Sequence, residues 1–371
     1  IFHRITDLYG DCPYSEAGQG YINGILTPKY DSQQDIYMDM LKELEEAVAQ
    51  ISGDGALGSA DVIYGGSAAH WKAFGNSMML RLAMRLTQVD AATAQAWAVK
   101  AIGGGTMTSN DHIASVKHGD GSSGRKNGHG EVFDVDQGSR ISTSFMSRMN
   151  GDPRKTRLFM RNADKNQDAA NLIGMKNGLK NDPYTDLDGN AIPAAGDTTG
   201  YAMAATELQS TTAPMVLQTY AEVEFLKAEA AIRGWISTSD KDHYEAGVTA
   251  GMQMLEGIYG TTPITGAEIS TFLAGDGAYK ADGSVAERWE QVMDQYFIAT
   301  YLNEYEAYAN WRRSGFPNIT ATRHPGSYTN GQFMVRMIYP TAESGSNAAN
   351  YAAAVANQGP DSYTTPLWWD K

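Results

Sequence analysis

Cysteine is almost absent from this chain of 371 residues: Cys12 stands alone. An internal disulfide is therefore impossible, and a cysteine-rich zinc site is excluded. Cys12 does not read as a lipidation site either, because it lies in a polar segment with no apolar stretch before it. No apolar run reaches the roughly eighteen residues that a membrane-crossing helix requires. Positive charge is also scarce, with 29 Lys and Arg against 43 Asp and Glu and a net charge of −14. The basic runs (Arg154 to Arg161, Arg312-Arg313) are short and balanced by acids. Binding to nucleic acid draws its affinity from clustered cations that displace counterions, so this composition argues against it. Catalytic signatures are missing as well. The seven histidines show no metal-ligand spacing, and there is no Gly-x-Ser-x-Gly elbow and no Walker loop. These absences favour binding over catalysis and call for no cofactor.

What is present is a globular composition, 42% hydrophobic and 19% charged. The periodicity is helical. Asp31, with Gln34 three residues on, reads as an N-cap with its capping-box partner. Ile36, Met40, Leu44, Val48 and Ile51 follow on one stripe, and Trp71, Phe74, Met78, Leu82 and Leu86 mark a second helix. A third spans Ala91 to Ile102, closed by Gly103-Gly104-Gly105. Further helices are expected over Val216 to Arg233, Lys241 to Tyr259, Val285 to Leu302 and Ser344 to Asn357. Small residues such as Ala221, Ala228, Ala230 and Ala231 suit closely packed helix pairs of tetratricopeptide type, although no clean repeat of that length is found. Between Gly103 and Arg140, and again between Asn162 and Thr212, Gly, Asn, Asp and Ser dominate. Long loops of this kind are commonly functional.

Several constellations could carry chemistry. Gly119-Asp-Gly121-Ser-Ser-Gly124 matches a dinucleotide fingerprint, but Ile113 to His118 is a poor strand and Arg125-Lys-Asn-Gly-His-Gly no helix, so a loop is expected. Glu222, Glu224 and Glu229 share one helix among core residues, and Arg partners are expected in preference to glycoside cleavage. Glu304, Glu306, Arg312 and Arg313 suggest an ion-pair cluster against Trp311. Asp186-Leu-Asp188-Gly-Asn190 has alternating oxygens, but its glycine is misplaced for a calcium loop, so an Asp-Gly turn is the plainer reading and no metal is assigned. Arg125, Asn127, His129, Phe133, Asp134 and Arg140 combine aromatic and hydrogen-bonding groups suited to sugars or peptides, with Tyr64 and Tyr184 as further ligand candidates.

The C-terminal stretch is the most specific. It reads Arg336-Met-Ile-Tyr339-Pro340, then Glu343, Asn347, Asn350-Tyr351 and Gly359-Pro-Asp361, closing on Leu367-Trp368-Trp369-Asp370-Lys371. Adjacent tryptophans at a chain end imply a docked terminus, since fraying ends are usually polar. With Glu304-Tyr-Glu306-Ala-Tyr-Ala-Asn310-Trp311-Arg312-Arg313-Ser-Gly315-Phe-Pro317, the Trp71 to Leu86 stretch, Gly151-Asp152-Pro153-Arg154 and Tyr220 to Trp235, it resembles the SusD-like (SusD/RagB) family. The subgroup ending in Trp-Trp-Asp-Lys is the nearest in pattern.

That resemblance implies a mainly α fold of irregular tetratricopeptide-like helix pairs with a loop-rich side. One SusD-like domain is expected over 1–371, with scaffold from 1–102 and 213–371 and a ligand-side insert over about 103–212. It implies a non-enzymatic Bacteroidetes surface lipoprotein that captures oligosaccharide or peptide and delivers it to a SusC-like TonB-dependent outer-membrane transporter. The family's lipid-bearing cysteine would lie in an N-terminal segment that this sequence does not include. A helical glycoside hydrolase and a protein-binding helical scaffold are the alternatives.

Overall fold

A computed structural model of the chain describes residues 1–55, 58–119, 124–136 and 138–370. Its body is mainly helical. The first part comprises α1 (Phe2–Tyr9), α2 (Gln33–Gln50), α3 (Ala68–Arg85) and α4 (Ala91–Gly103). Helix α5 (Gly128–Val135) follows in sequence. The second part comprises α6 (Tyr220–Ile232), α7 (Asp240–Tyr259), α8 (Gly266–Ala274), α9 (Val285–Ala299), α10 (Glu304–Ser314) and α11 (Ala348–Gln358). Successive helices pack as irregular pairs: α2 on α3, α3 on α4 and α6 on α7, with α9 laid against α6. Close approach needs small residues, and a Cβ at Gly247 of α7 would meet the Phe225 ring of α6 at 2.7 Å.

Short antiparallel pairs link segments between residues 114 and 218. β1 (Ala114–Val116) pairs with β6 (Met215–Gln218), β2 (Phe159–Arg161) with β5 (Ala202–Ala204), and β3 (Tyr184–Thr185) with β4 (Ala191–Ile192). Three sequence expectations change here. Ile113 to His118 does contain a strand, and the helix expected from Val216 starts only at Tyr220, because Met215–Gln218 pairs with β1 and Thr219 caps the helix through Glu222 N. A helix also begins at Gly128, where none was expected, since the Asn127 side chain caps it by accepting from His129 N and Gly130 N. Residues 120–123 of the glycine-rich fingerprint lie outside the described residues.

The first long helix is capped by Ser32, whose side chain accepts from Asp35 N. Asp31 is drawn away, because its backbone bridges to Cys12 and its carboxylate accepts from the Tyr14 and Ser15 amides. Near the C-terminus, Asn347 interrupts the expected helix. Its amide donates to Pro28 O at 2.9 Å, leaving a short turn over Glu343–Ser346 before α11.

Buried ion pairs tie the scaffold across long sequence separations. Arg81 of α3 grips Glu222 of α6 through two bonds of 2.6 Å, and Arg85 meets Glu306 of α10 at 2.7 Å. Arg313 of α10 binds both oxygens of Glu229 at 2.8 and 2.7 Å. The three α6 glutamates are thus structural, Glu224 being held by Lys227 and His243. Burial pushes the Glu306 carboxyl up, but Arg85 and Arg81 more than offset this and hold it well below its ordinary range. The expected local cluster does not form, because Glu306, Arg312 and Arg313 face different partners along the helix. Arg312 lies over the Tyr308 and Trp369 rings and donates to Val335 O. The chain end is docked: Trp369 is fully buried, and its indole N–H donates to Asp7 of α1 at 3.1 Å.

Candidate functional site: an aromatic groove

Helix α10 has two unlike faces. Glu306, Ala309, Asn310 and Arg313 point into the core. Glu304, Ala307, Tyr308 and Trp311, spaced along one stripe, face a groove of about 910 Å³. The helix stops at Gly315, whose φ of 74° is the left-handed conformation that glycine adopts without a Cβ clash. The chain then turns back, and residues 319–334 supply the facing wall.

Aromatic rings dominate the groove. Tyr308 stacks near Trp311 (6.2 Å, 17°), and Phe333 meets Trp311 edge-on at 4.9 Å. Phe145, Phe297 and Tyr301 form the opposite end, with Phe145 at 5.2 and 5.5 Å from the other two rings. Tyr328 is 98% exposed at the mouth. The Tyr308 hydroxyl donates to Met334 O at 2.7 Å and so fixes the far wall to α10. Among the described lining residues Glu304 carries the one charge, and polar groups such as Asn177, Thr322 and Gln332 sit between the rings. Flat apolar faces rimmed by hydroxyls and amides match the two kinds of surface that a sugar ring presents.

The family model described as "Starch-binding associating with outer membrane" (SusD-like) matches residues 1–340. The chain belongs to the SusD-like family. Solved structures agree with this assignment. A chitin-binding protein is 33% identical with a TM-score of 0.85, the match covering 99% of this chain and 78% of that one. The SusD-like protein AC2a of Bacteroidetes is 29% identical at TM-score 0.83, over 100% and 81%. A chitin-binding SusD homologue from Flavobacterium johnsoniae is 25% identical at TM-score 0.81, over 100% and 78%. No curated protein matches. The family is described as associating with the outer membrane, and no helix among the described residues is long and apolar enough to cross one.

The residues singled out from the SusD-like sequence scatter in space. His129 reaches the groove wall, its Nε2 lying 2.9 Å from Glu304 Oε2. That bond raises the imidazole above its ordinary value against the effect of burial. Burial opposes ionisation of Glu304, but His129 holds the carboxyl below its ordinary range. Tyr184 stands at the rim, donating to the carbonyl of Gly178, which lines the groove, with its ring 4.8 Å from His324. Asn127 is buried and committed to the fold, since Nδ2 donates to Ala213 O while Oδ1 caps α5. Phe133 packs on the core, Asp134 and Arg125 are exposed, and Arg140 donates to Thr198 O. Tyr64 belongs to a separate ring cluster with His70, Trp71 and Phe74, its hydroxyl donating to His112 O. Asp186 forms a turn, accepting from the amides of Asp188 and Asn190.

Tyr308, Phe333 and Tyr328 carry no site role in the sequence reading, and Trp311 appears there as packing for charges. The signal available was the spacing of Glu304, Tyr308 and Trp311. It places one polar–aromatic stripe opposite the charged stripe that enters the core.

Proposed function

We propose that this SusD-like chain captures a neutral oligosaccharide in the aromatic groove, chitin-type in preference to starch-type. It then passes the ligand uncut to a SusC-like TonB-dependent transporter while anchored by lipid at the outer-membrane surface. The observation that carries this reading is the wall made by Tyr308, Trp311 and Phe333, with Glu304 as its one charge among the described lining residues. Preference for chitin-type chains draws on the two relatives named as chitin-binding. His129 and Tyr184 would act at the edge, His129 by holding Glu304.

A binding role is supported by where the carboxylates lie. Glycoside hydrolysis needs two of them flanking the scissile bond, about 5 to 10 Å apart. Glu222 and Glu229 instead face Arg81 and Arg313 inside the core, and Glu304 faces the groove with no second carboxylate among its described lining.

The test is a thermal-shift panel of chitin, malto- and cello-oligosaccharides and short peptides, with the same wells assayed for product. A ligand that binds only the folded state raises the melting temperature by an amount that grows with the logarithm of its concentration over Kd. The expected result is a shift with chitin oligosaccharides and no shortened product. Product formation, or a shift confined to peptides, would overturn the reading.

A further inference from the structure

Phe333 is a wall shared by two chambers. On one side is the aromatic groove. On the other is a smaller polar pocket of about 560 Å³. The two have Ser144, Asn177, Ile319, Ala321, Thr322 and Phe333 in common. Beyond that wall the chemistry changes, with Thr143, Ser147, Asn190, Asn318 and Thr320 contributing hydroxyls and amides. The lining charges cancel: Arg148 and Lys176 against Asp186 and Asp188. Three of these are already engaged. Arg148 donates to Asp294 at 3.2 Å and to Asn318 O at 2.8 Å, Asp186 closes its own turn, and Asp188 pairs with Arg323.

The shared wall is also braced. Thr322 Oγ1 donates to Asn177 O at 2.9 Å, and Arg148 pins the backbone at Asn318. Both chambers are therefore formed together, without a rearrangement that binding would have to drive.

We infer that groove and polar pocket are one trench for a single neutral oligosaccharide, which stacks rings in the aromatic part and runs past Phe333 into the polar part. This rests on the glycan reading above and adds a direction and a dependence on chain length to it. Hydroxyls and N-acetyl groups both donate and accept, as the far lining does. An anionic chain would meet two carboxylates there, Asp186 and Asp188, with one of the two cations, Arg148, already paired, and the apolar side chains of a peptide would strand amides covered on binding.

The experiment is calorimetric titration of the chain with N-acetylglucosamine oligomers and, in parallel, malto-oligosaccharides, each from dimer to hexamer. It uses the wild type and Asn318→Trp, which fills the polar pocket from an exposed position, with a melting curve to verify folding. Affinity is expected to climb with length by about tenfold or more, close to 1.4 kcal/mol. Asn318→Trp should remove that climb and leave dimer binding nearly unchanged. A climb seen only with malto-oligosaccharides and lost in Asn318→Trp would support the trench while changing the sugar. Dimer binding with no gain on lengthening, or equal loss at all lengths, would overturn the trench alone. No binding at any length of either sugar would overturn the glycan reading and the trench with it.

Discussion

Phe333 stands edge-on to Trp311, with ring centroids 4.9 Å apart and planes at 69°. One ring is carried by a helix whose other face is pinned into the core by Arg313 and Glu306. The other comes from the returning segment that Tyr308 ties to the same helix. The stacking platform proposed above thus has one ring on a helix fixed in the core and the other on a segment bonded to that helix. Trp311→Ala is expected to weaken oligosaccharide binding by about thirtyfold, near 2 kcal/mol, the usual cost of truncating a central aromatic anchor. Phe333→Ala should weaken it less. Titration calorimetry on both variants checks the ranking.

The His129–Glu304 contact links α5 to the groove, and it should respond to pH. The contribution of His129 is complete below the ordinary imidazole value of 6.5 and is lost as pH rises through its raised folded value. That of Glu304 is present above 4.5 and is lost as pH falls through its depressed folded value. The contact is therefore strongest between those two ordinary values. Amide exchange in α5, corrected for intrinsic rate, should be slowest in that window, and His129→Gln should flatten the profile.

Stability depends most on the buried pairs. Arg313 and Glu229 have no exposed side-chain surface, so Arg313→Ala leaves Glu229 buried with only the more exposed Arg233. A loss of about 3–5 kcal/mol is expected from urea unfolding. Replacing both residues with methionine should recover much of it, since no stranded carboxylate remains.

Asp370 works against the fold at neutral pH. Burial pushes its carboxyl up to about 7, and Arg312 only partly compensates. Because the folded value lies above the ordinary 3.8, wild-type stability is penalised increasingly as pH rises between these values and evenly above them. Asp370→Asn should raise the melting temperature at pH 8, with a gain that shrinks toward pH 4.

Much of the scaffold was legible because its helices carry continuous apolar stripes, and the adjacent tryptophans announced a docked end. Local competition blurred the boundaries. Asp31 and Ser32 can both cap, and the choice was made by Cys12, which bridges to Asp31 from outside the helix. Charge partners were harder to read, since Arg81 and Glu222 are 141 residues apart and periodicity carries no information at that range. The groove was hardest of all. Much of its wall is the aperiodic segment around Tyr328 and Phe333, whose position depends on bonds such as Tyr308 to Met334 O. Residues 103–140 and 162–212 drew attention as loops; of their named side chains Asn127 and Phe133 pack into the fold, while His129 and Tyr184 stand at the groove.

The most direct test is a crystal structure of the chain soaked with a chitin oligosaccharide. The account predicts sugar rings against Trp311 and Phe333, with the chain continuing past Phe333 toward Asn318 and Asn190. Sugar density at Tyr64 or along α5, with the groove vacant, would contradict it.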